Sequence, residues 1–401
     1  MINSETIRYS LRNLKHQKGR SFLTVFSILV GIATIFIFLS FGMGLYNYTK
    51  FISVSGAMDK VIIMPKGLAG ATGSSTIIFN DTDLNAIKSS AGVLEASGIY
   101  MTAAQVTKSD QSKYAYLISY DPSSSLILQS FNAQLEKGRL LQPGDTRSVI
   151  LGYNYMVDGK IFSKGLNVND QIKINGTLLK VVGFLAPIGN PGDDSNIYIT
   201  NSYFKTMYPN KNSYAEIVAR VDIKNIDQAI SNVERSLRHE RNETKGEEDF
   251  YVQSFQSLVD SYSSTLNIII GFVVLIALIS VLVSGINTAN TMITSVLERF
   301  KEIGVLKSIG ARNSEIFGIF LFESASLGFI AGVLGVLLGF VATEIAKNIL
   351  AGLGWSFLAP YYTPWLFIGC ILFAVITGAI SGVIPAIKAS RINPVDSLRY
   401  E

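Results

Sequence analysis

The stretch "LERFKEIGVLKSIGAR", residues 297–312, is a short charged segment between two long apolar runs. Its apolar residues recur at the spacing of a helix and charged residues surround them, which is the pattern of an amphipathic helix. The apolar runs on either side decide the fold class, because they determine whether this helix belongs to a soluble protein or to a membrane protein.

Charged residues are scarce in the chain and unevenly placed. Only 16% of its 401 residues are charged, whereas soluble globular proteins carry about 25%. Several nearly uncharged runs exceed the roughly 20 residues that a helix needs to cross a bilayer. We therefore predict membrane spans at residues 22–46, 265–292, 315–347 and 364–387. The first run is longer than the apolar core of a signal peptide, about 7–15 residues, which indicates an uncleaved anchor.

Lysine and arginine residues near the span ends predict the orientation, because they accumulate in cytoplasmic loops. They are concentrated at residues 1–21, 293–314 and 388–401, while the loop at 348–363 contains none. Both termini and the segment quoted above are therefore predicted to be cytoplasmic, and residues 47–264 to be extracytoplasmic. The chain is predicted to be a multi-pass protein of the cell (cytoplasmic) membrane.

The N-terminal segment, residues 1–21, has two interpretations. Ile7, Leu11 and Leu14 share one helical face, and basic residues surround them. This is the pattern of an interfacial helix that lies on the lipid of the inner leaflet. Alternatively, the basic residues only fix the topology of the first span.

The extracytoplasmic segment contains signals of both strands and helices. Asn175-Gly176 joins two β-rich runs, and this dipeptide is favoured in the turn of a hairpin. A helix is predicted over residues 226–241. Acidic and basic residues nearly balance here and form no clustered basic face, so we predict no nucleic-acid partner. The sequence thus indicates an α-helical membrane protein with four transmembrane helices and a large α+β domain inserted between spans one and two.

A helix is predicted to enter the second span from outside the membrane. Leu258, Val259, Tyr262 and Leu266 follow a helical spacing, and neither glycine nor proline occurs from residue 247 to residue 270. A continuous helix from there through the span would be roughly 65 Å long and would project from the bilayer as a stalk. The alternative is a pair of helices with a bend at the membrane surface.

Six glycines and one carboxylate stand out within the predicted spans. The glycines occur at GxxxG spacing, which lets helices pack closely within one chain or across a dimer. They are Gly328, Gly332, Gly335, Gly339, Gly378 and Gly382. Glu323 is the one charge deep within a predicted span, so it must face a partner helix or water. It is a proton or substrate site, or a hydrogen-bonding group that locks spans together, or a residue that lies nearer the inner interface, only two turns from Glu315.

The sequence offers little material for catalysis. The chain contains two histidines and one cysteine, Cys370, which lies in the fourth predicted span. A metal site of histidine and cysteine is therefore not expected outside the membrane, nor is a Cys–His or Ser–His nucleophilic pair. The phosphate-binding motif GxxxxGK[ST] does not occur. We predict no catalytic residue, no metal site and no cofactor on this chain.

Four parts of the sequence resemble one known family. They are "LRNLKHQKGRSFLTVFSILVGIA" at 11–33, "LGYNYMVDGKIF" with "QIKINGTLLKVVGFL" at 151–185, "GINTANTMITSVLERFKEIGVLKSIGAR" at 285–312, and "SGVIPAIKASRINPVDSLRYE" at 381–401. Together they resemble the permease subunits of the MacB, LolC/LolE and FtsX group of ABC transporters. The resemblance covers nearly the whole chain and is closest to MacB-like permeases without a fused ATPase domain.

This resemblance implies a role for the opening segment. In the family the loop between spans two and three, here residues 293–314, is a coupling helix that docks on a cytoplasmic ATPase. The implied docking residues are Glu298, Arg299, Phe300, Lys301, Glu302, Ile303, Leu306, Lys307, Ile309 and Gly310. Phe300, Ile303 and Leu306 would supply the apolar stripe through which amphipathic helices bind grooves. Replacing Phe300 or Ile303 with aspartate should then remove ATPase binding. The alternative is a helix on lipid headgroups, although such a face is usually more purely basic.

The resemblance also implies partners and a mechanism. Members of MacB type carry their ATPase ahead of span one, whereas here a separate ABC ATPase subunit is expected to bind ATP and Mg. Two permease copies are expected to form a homodimer, and an extracytoplasmic adaptor is an optional further partner. ATP-driven closure of the ATPases would be transmitted through the coupling helices to the outer domain, which the family calls mechanotransmission.

The outer domain is expected to contain two subdomains. One is a porter-like βαββαβ unit from residues 61–131 and 203–251, and the other is a Sabre-like β-rich insert from residues 132–202. The implied function is export or extraction of an amphiphilic or peptide-like substrate at the outer membrane face. The alternative function is an FtsX-like signalling complex that regulates an extracytoplasmic enzyme. The missing catalytic residues argue against a membrane-anchored enzyme.

Overall fold

The computed structural model describes residues 18–54, 58–66, 79–131 and 133–394. The chain divides into two compact units. The membrane unit consists of Met1–Leu45, Thr265–Ile349 and Leu358–Glu401, and the outer unit consists of Tyr46–Ser264 and Leu350–Phe357. The predicted interfacial helix falls mainly on residues 1–17, which lie outside the described residues.

Four long helices of the described chain are apolar enough to cross a membrane. They are α1 (Lys18–Val54), α6 (Phe255–Glu298), α8 (Asn313–Leu353) and α9 (Pro364–Ser390). A short helix, α7 (Phe300–Ser308), lies between α6 and α8. The four predicted spans correspond in order to these four helices, and each helix is longer than its predicted span.

Helix α6 is unbroken over its 44 residues, a length of about 66 Å at 1.5 Å per residue. This agrees with the continuous helix and not with the bent alternative. The helix starts at Phe255 rather than near residue 247 because Phe250–Ser254 form a strand, β10, that pairs with strand β1 (Lys60–Pro65). Backbone hydrogen bonds to β1 hold these residues extended.

The six glycines pack α8 against two neighbouring helices of the same chain. A Cβ atom built on Gly332 would lie 2.8 Å from the Cβ atom of Ala374 in α9. One built on Gly335 would lie 2.8 Å from the carbonyl oxygen of Leu29 in α1. Gly328, Gly339, Gly378 and Gly382 make equally close approaches to α9, α1 or α8. Of the two alternatives, the structure therefore places these glycines in contacts within the chain.

Gly332→Val is expected to destabilise the membrane unit by about 1–3 kcal/mol, because overpacking a tight helix contact forces both helices apart. Gly318→Val is the matched control, since Gly318 lies on the same helix with no neighbouring atom within 4 Å of its Cβ position. Thermal unfolding of the purified chain in detergent measures both. Equal midpoints for the two variants would contradict this packing.

In its described residues, the outer unit is built on one sheet of ten strands. The strands besides β1 and β10 are β2 (Val93–Lys108), β3 (Gln111–Tyr120), β4 (Leu135–Gly138), β5 (Ser148–Leu151), β6 (Gln171–Ile174), β7 (Thr177–Leu185), β8 (Ile197–Thr200) and β9 (Glu216–Val221). The order is β10-β1-β9-β2-β3-β8-β5-β7-β4, and β6 pairs with β2 and β7. The helices are α2 (Asp81–Lys88), α3 (Leu126–Ser130), α4 (Asn201–Met207) and α5 (Ile226–Arg241).

The antiparallel strands β10-β1-β9-β2, with α2 after β1 and α5 after β9, form a βαββαβ unit. Strand β2 pairs with β9 through Val93–Ile99 and with β3 from Tyr100 onward. Strand β3 also pairs in parallel with β8. It therefore lies with the strands of the predicted Sabre-like insert, although the sequence division placed it in the porter-like unit. The boundary between the βαββαβ unit and the insert therefore falls within β2, because β2 pairs with β9 up to Ile99 and with β3 from Tyr100 onward.

The predicted hairpin at Asn175-Gly176 is present between β6 and β7. Both residues have positive φ, 45° and 82°, as the favoured two-residue hairpin turn requires. The Asn175 side chain also accepts a hydrogen bond of 2.8 Å from the backbone N–H of Gln105 in β2. The turn is thus tied to the long β2–β3 ribbon.

Helix α5 buries Ala229, Val233 and Leu237 against the sheet. Near its end Arg241 forms ion pairs of 2.8 Å with the buried Asp83 of α2 and with Asp249. A charge pair with little access to water is stabilising only when its hydrogen bonds are satisfied. Both Asp83 oxygens accept bonds from this guanidinium, so the pair joins the two helices of the βαββαβ unit.

The segment Leu350–Phe357, which contains the end of α8 and the start of its connection to α9, packs within the outer unit. The Lys160 ammonium donates a 2.7 Å hydrogen bond to the carbonyl oxygen of Gly352, and the Phe357 N–H donates one of 3.3 Å to the carbonyl oxygen of Gly189. Gly354 has a φ of 93°, a conformation that side chains rarely tolerate. This connection is therefore fixed by specific backbone contacts.

Candidate functional site

Helix α7 occupies the position of the predicted coupling helix and has a defined end. The N–H of Gly310 donates to the carbonyl oxygen of Lys307 at 3.1 Å, and the N–H of Ala311 donates to that of Leu306 at 3.0 Å. These two bonds form a Schellman cap, which needs a residue with positive φ. Gly310 supplies it with a φ of 105°. The role of Gly310 in the structure is thus to stop the helix.

One face of α7 is buried against the chain's own membrane helices. Ile303 is 3% exposed, and Leu306 is partly buried in the same cluster. The cluster also contains Met292 and Val296 of α6, Ile316, Phe320 and Leu327 of α8, and Ala386 and Ala389 of α9. This cluster, which we call the elbow core, fastens α7 to three membrane helices at once.

A buried ion pair reinforces the start of α7. The guanidinium of Arg299, the residue before the helix, lies 3.3 Å from the carboxylate of Glu323 in α8, and the two side chains are 12% and 7% exposed. An unpaired carboxylate at this position would be costly. The contact links the segment before α7 to α8, and the role of Glu323 stays a prediction.

The end of α7 is held by Lys307. Its ammonium donates hydrogen bonds of 2.6 and 2.7 Å to the carbonyl oxygens of Ser390 and Ile392. These carbonyls belong to the C-terminal end of α9, where the last turn of a helix leaves acceptors without partners within the helix. Lys307 therefore acts as a cap for α9.

The opposite face of α7 is exposed. It carries Lys301, Glu302, Val305 and Ser308, followed by Ile309. Val305 is 49% exposed and Ile309 is 77% exposed. Their spacing of four residues places them on the same side. We call this face, from Lys301 to Ile309, the outward stripe.

In the structure, the docking residues predicted from the sequence divide between the two sides of α7, and the docking role itself stays a prediction. Ile303, Leu306 and Lys307 were assigned to docking, but they face the elbow core and the end of α9. Phe300 is half-buried, while Glu298, Lys301, Glu302, Ile309 and Gly310 are exposed. Val305, which the predicted set does not include, is exposed on the same side as Ile309. Apolar residues occur on both sides of α7, so the sequence alone did not distinguish which of them face the chain.

Among the described residues, no group of three or more histidine, cysteine, aspartate or glutamate side chains could hold a metal ion. Beside the elbow core, Arg299 pairs with Glu323, and Lys307 donates to the carbonyl oxygens of Ser390 and Ile392. The opposite side of α7 is an exposed helix face.

Comparison with protein families assigns both parts of the chain. Residues 21–236 match the MacB-like periplasmic core domain, and residues 263–394 match the FtsX-like permease C-terminal domain. The first match covers more than half of the chain. The chain belongs to this family of ABC transporter permeases, which confirms the resemblance seen in the sequence.

Relatives match over the whole chain. It is 29% identical to an uncharacterised ABC transporter permease of Methanocaldococcus jannaschii, over 99% of this chain and 98% of the relative. It is 26% identical to the ABC transporter permease YknZ of Bacillus subtilis, over 99% of each. The macrolide export ATP-binding/permease protein MacB of Wolinella succinogenes is 27% identical over 99% of this chain, which spans 61% of that protein.

Two solved structures are similar to parts of the chain. The extracellular domain of YknZ has a TM-score of 0.39 at 16% identity and covers 48% of this chain and 99% of that one. The periplasmic region of MacB from Actinobacillus actinomycetemcomitans has a TM-score of 0.43 at 14% identity, over 52% of this chain and 95% of that one. The family matches and the four apolar helices define a multi-pass membrane permease with an extracytoplasmic domain between spans one and two.

Proposed function

We propose that this chain is the permease subunit of an ATP-driven ABC transporter that works by mechanotransmission, with ATP and Mg bound by a separate ATPase subunit. The observation that carries the proposal is the two-sided character of α7. Its outward stripe offers Val305 and Ile309 to a partner, while its other side is fastened to the membrane helices. When a partner displaces a helix that is packed in this way, the membrane helices that contact it are displaced with it.

Three connections support this transmission. The elbow core joins α7 to α6, α8 and α9, the Arg299–Glu323 pair joins it to α8, and Lys307 joins it to the end of α9. Energetic coupling over distance needs contiguous packed elements of this kind. Helix α6 then continues without a break to Phe255, so displacement of its cytoplasmic end would move a single rod.

We propose that two copies of the chain form the working permease. Helix α6 supports this, because only 6% of its most apolar segment is buried within the chain, whereas the corresponding values for the other membrane helices are 28–39%. The six GxxxG glycines are already used within the chain. A second copy of α6 is therefore the partner we propose for this face, with lipid on the remainder.

We propose that the transported or extracted molecule is amphiphilic or peptide-like and is handled at the outer membrane face. The membrane unit contains an apolar groove of about 440 Å³. A groove of this kind would bind the apolar part of such a molecule. It is lined by side chains of α1, α6 and α9, among them Leu39, Val274, Leu366 and Phe373. Relatives named as export proteins for macrolides and pyoverdine point in the same direction.

Reconstitution tests the proposal. The full chain is placed in lipid nanodiscs with a candidate ABC ATPase from the same organism, and ATP hydrolysis is compared for the ATPase alone and for the complex. We expect co-purification and a several-fold change in hydrolysis when the permease is present. An ATPase that neither binds the chain nor changes its rate would contradict the proposal.

A further inference from the structure

The triplet Asn-x-Ser/Thr, in which x is not proline, occurs four times in the extracytoplasmic segment of the sequence. The four asparagines are Asn47, Asn80, Asn175 and Asn242. This triplet is the acceptor of N-linked glycans, which are attached to surface segments outside the cytoplasm. A transferase that joins a sugar to the asparagine amide must take the triplet into its own site. The local structure therefore decides which of the four is available.

Two of the triplets are held in helices. Asn47 lies within α1, where its triplet is part of an unbroken helix. Asn80 caps the start of α2, and its side-chain oxygen accepts hydrogen bonds of 2.8 and 2.9 Å from the backbone N–H groups of Thr82 and Asp83. Entry of either triplet into another protein would first require local unfolding, because the backbone groups of a helix are already paired.

The third triplet is fixed in the hairpin between β6 and β7. The side-chain oxygen of Asn175 accepts the hydrogen bond from Gln105 described above, and its amide nitrogen donates one of 2.6 Å to the Tyr208 hydroxyl. That nitrogen is the atom to which a glycan would be joined. Thr177, the third residue of the triplet, is already the first residue of β7. This triplet is therefore engaged through both its side chain and its backbone.

The fourth triplet lies in an exposed loop. Asn242 follows the last residue of α5, and residues 242–249 connect this helix to β10. Asn242 and Thr244 are both exposed, and no residue of the described chain forms a hydrogen bond with the Asn242 side chain. The Thr244 hydroxyl donates a 2.6 Å bond to the carboxylate of Glu247, which is exposed in the same loop. Opening this loop leaves α5 and the sheet intact.

The backbone of Asn242 has a structural role that leaves its side chain available. Its φ is 52°, and its N–H donates to the carbonyl oxygen of His239, while the N–H of Glu243 donates to that of Arg238 at 2.9 Å. These bonds form a Schellman cap, which accepts asparagine or glycine at the position with positive φ. The cap uses backbone atoms alone and does not need a hydroxyl at Thr244. It therefore holds the acceptor side chain at a folded helix end.

We propose that Asn242 is the acceptor of an N-linked glycan. The donor is a lipid-linked oligosaccharide whose first sugar is bonded through C1 to a phosphate oxygen, and the catalyst is a membrane oligosaccharyltransferase. A bond forms between Nδ2 of Asn242 and C1, and the bond between C1 and the phosphate oxygen breaks. The phosphate keeps the electron pair, and Nδ2 loses one proton to a base of the transferase. ATPase docking on α7 does not depend on this glycan and is expected to survive its loss.

The test uses the full chain purified from the membranes of its own organism. Chymotrypsin cleaves after leucine and aromatic residues, so it releases residues 238–250 as a peptide that contains Asn242 and none of the other three asparagines. We expect mass spectrometry to find this peptide heavier by the mass of an oligosaccharide, with fragmentation leaving one sugar on Asn242. The peptides that contain Asn47, Asn80 and Asn175 are expected at their unmodified masses.

Matched variants produced in the same organism separate the glycan from the cap. Asn242→Gly keeps a residue that suits the positive φ, so the added mass should be lost while the midpoint of thermal unfolding is unchanged. Thr244→Ala should also abolish the added mass, and Thr244→Ser, which keeps a hydroxyl, should retain it. An unmodified peptide 238–250 as the only form, added mass that persists in Asn242→Gly, or a glycan on another of the four triplets with Asn242 bare would each overturn the proposal.

Discussion

Val305→Asp and Ile309→Asp are each expected to weaken binding of the partner ATPase by about thirtyfold or more. Both side chains are exposed on the outward stripe, and replacing a buried apolar anchor of an interface with a charge costs about 2 kcal/mol or more. The elbow core does not include either residue. The fold of the membrane unit is therefore expected to survive these substitutions.

Co-purification of the chain with its ATPase measures the effect, and thermal unfolding of the chain alone checks the fold. Leu178→Asp is the matched control, because Leu178 is an exposed apolar residue of β7 in the outer unit and far from α7 in the chain. Undiminished co-purification in both α7 variants would contradict the docking role of the outward stripe.

Ile303→Asp should behave differently from these variants. The carboxylate would be placed among Ile316, Phe320 and Ala386 in the elbow core. Burying a charge there without a partner is expected to destabilise the membrane unit by several kcal/mol. Loss of ATPase binding in this variant would report loss of structure, so it is not a test of docking as the sequence alone had implied.

Arg299→Leu is expected to have the second large effect, a destabilisation of about 3–5 kcal/mol, because it leaves the carboxylate of Glu323 buried beside an apolar side chain. The double variant Arg299→Leu with Glu323→Leu should recover most of this loss, since replacing both partners of a buried pair with apolar groups is often neutral.

Thermal unfolding of the single and double variants in detergent, in a double-mutant cycle with Glu323→Leu, measures the coupling between the two residues. A single Arg299→Leu variant as stable as the unmodified chain would show that Glu323 finds another partner. If the changes in the free energy of unfolding from the two single substitutions add up to the change in the double variant, the pairing is also contradicted.

Much of the fold followed from the sequence because its signals are local. Runs without charge fixed the four membrane helices, and the basic loops indicated the extracytoplasmic placement of the domain between spans one and two. Asn175-Gly176 defined a hairpin because its two positive φ angles suit few other residue pairs. The continuous α6 followed from a helical spacing without glycine or proline.

The rest depended on contacts between distant parts of the chain. The sequence did not reveal that β3 pairs with β8, because strand pairing is set by register and burial over many residues. Nor did it reveal which side of α7 faces the elbow core, since apolar residues occur on both sides. Lys307 looked like a docking charge, but the free carbonyls at the end of α9 gave it another partner.

We propose that a separate ATPase binds the outward stripe of α7. Photo-crosslinking from Ile309 in membranes that contain both proteins tests it most directly, with the same photoreactive residue at Leu178 as the control. We expect a covalent adduct with the ATPase from Ile309 and none from Leu178. Absence of the adduct from Ile309, when both proteins are present and the chain is folded, would contradict it.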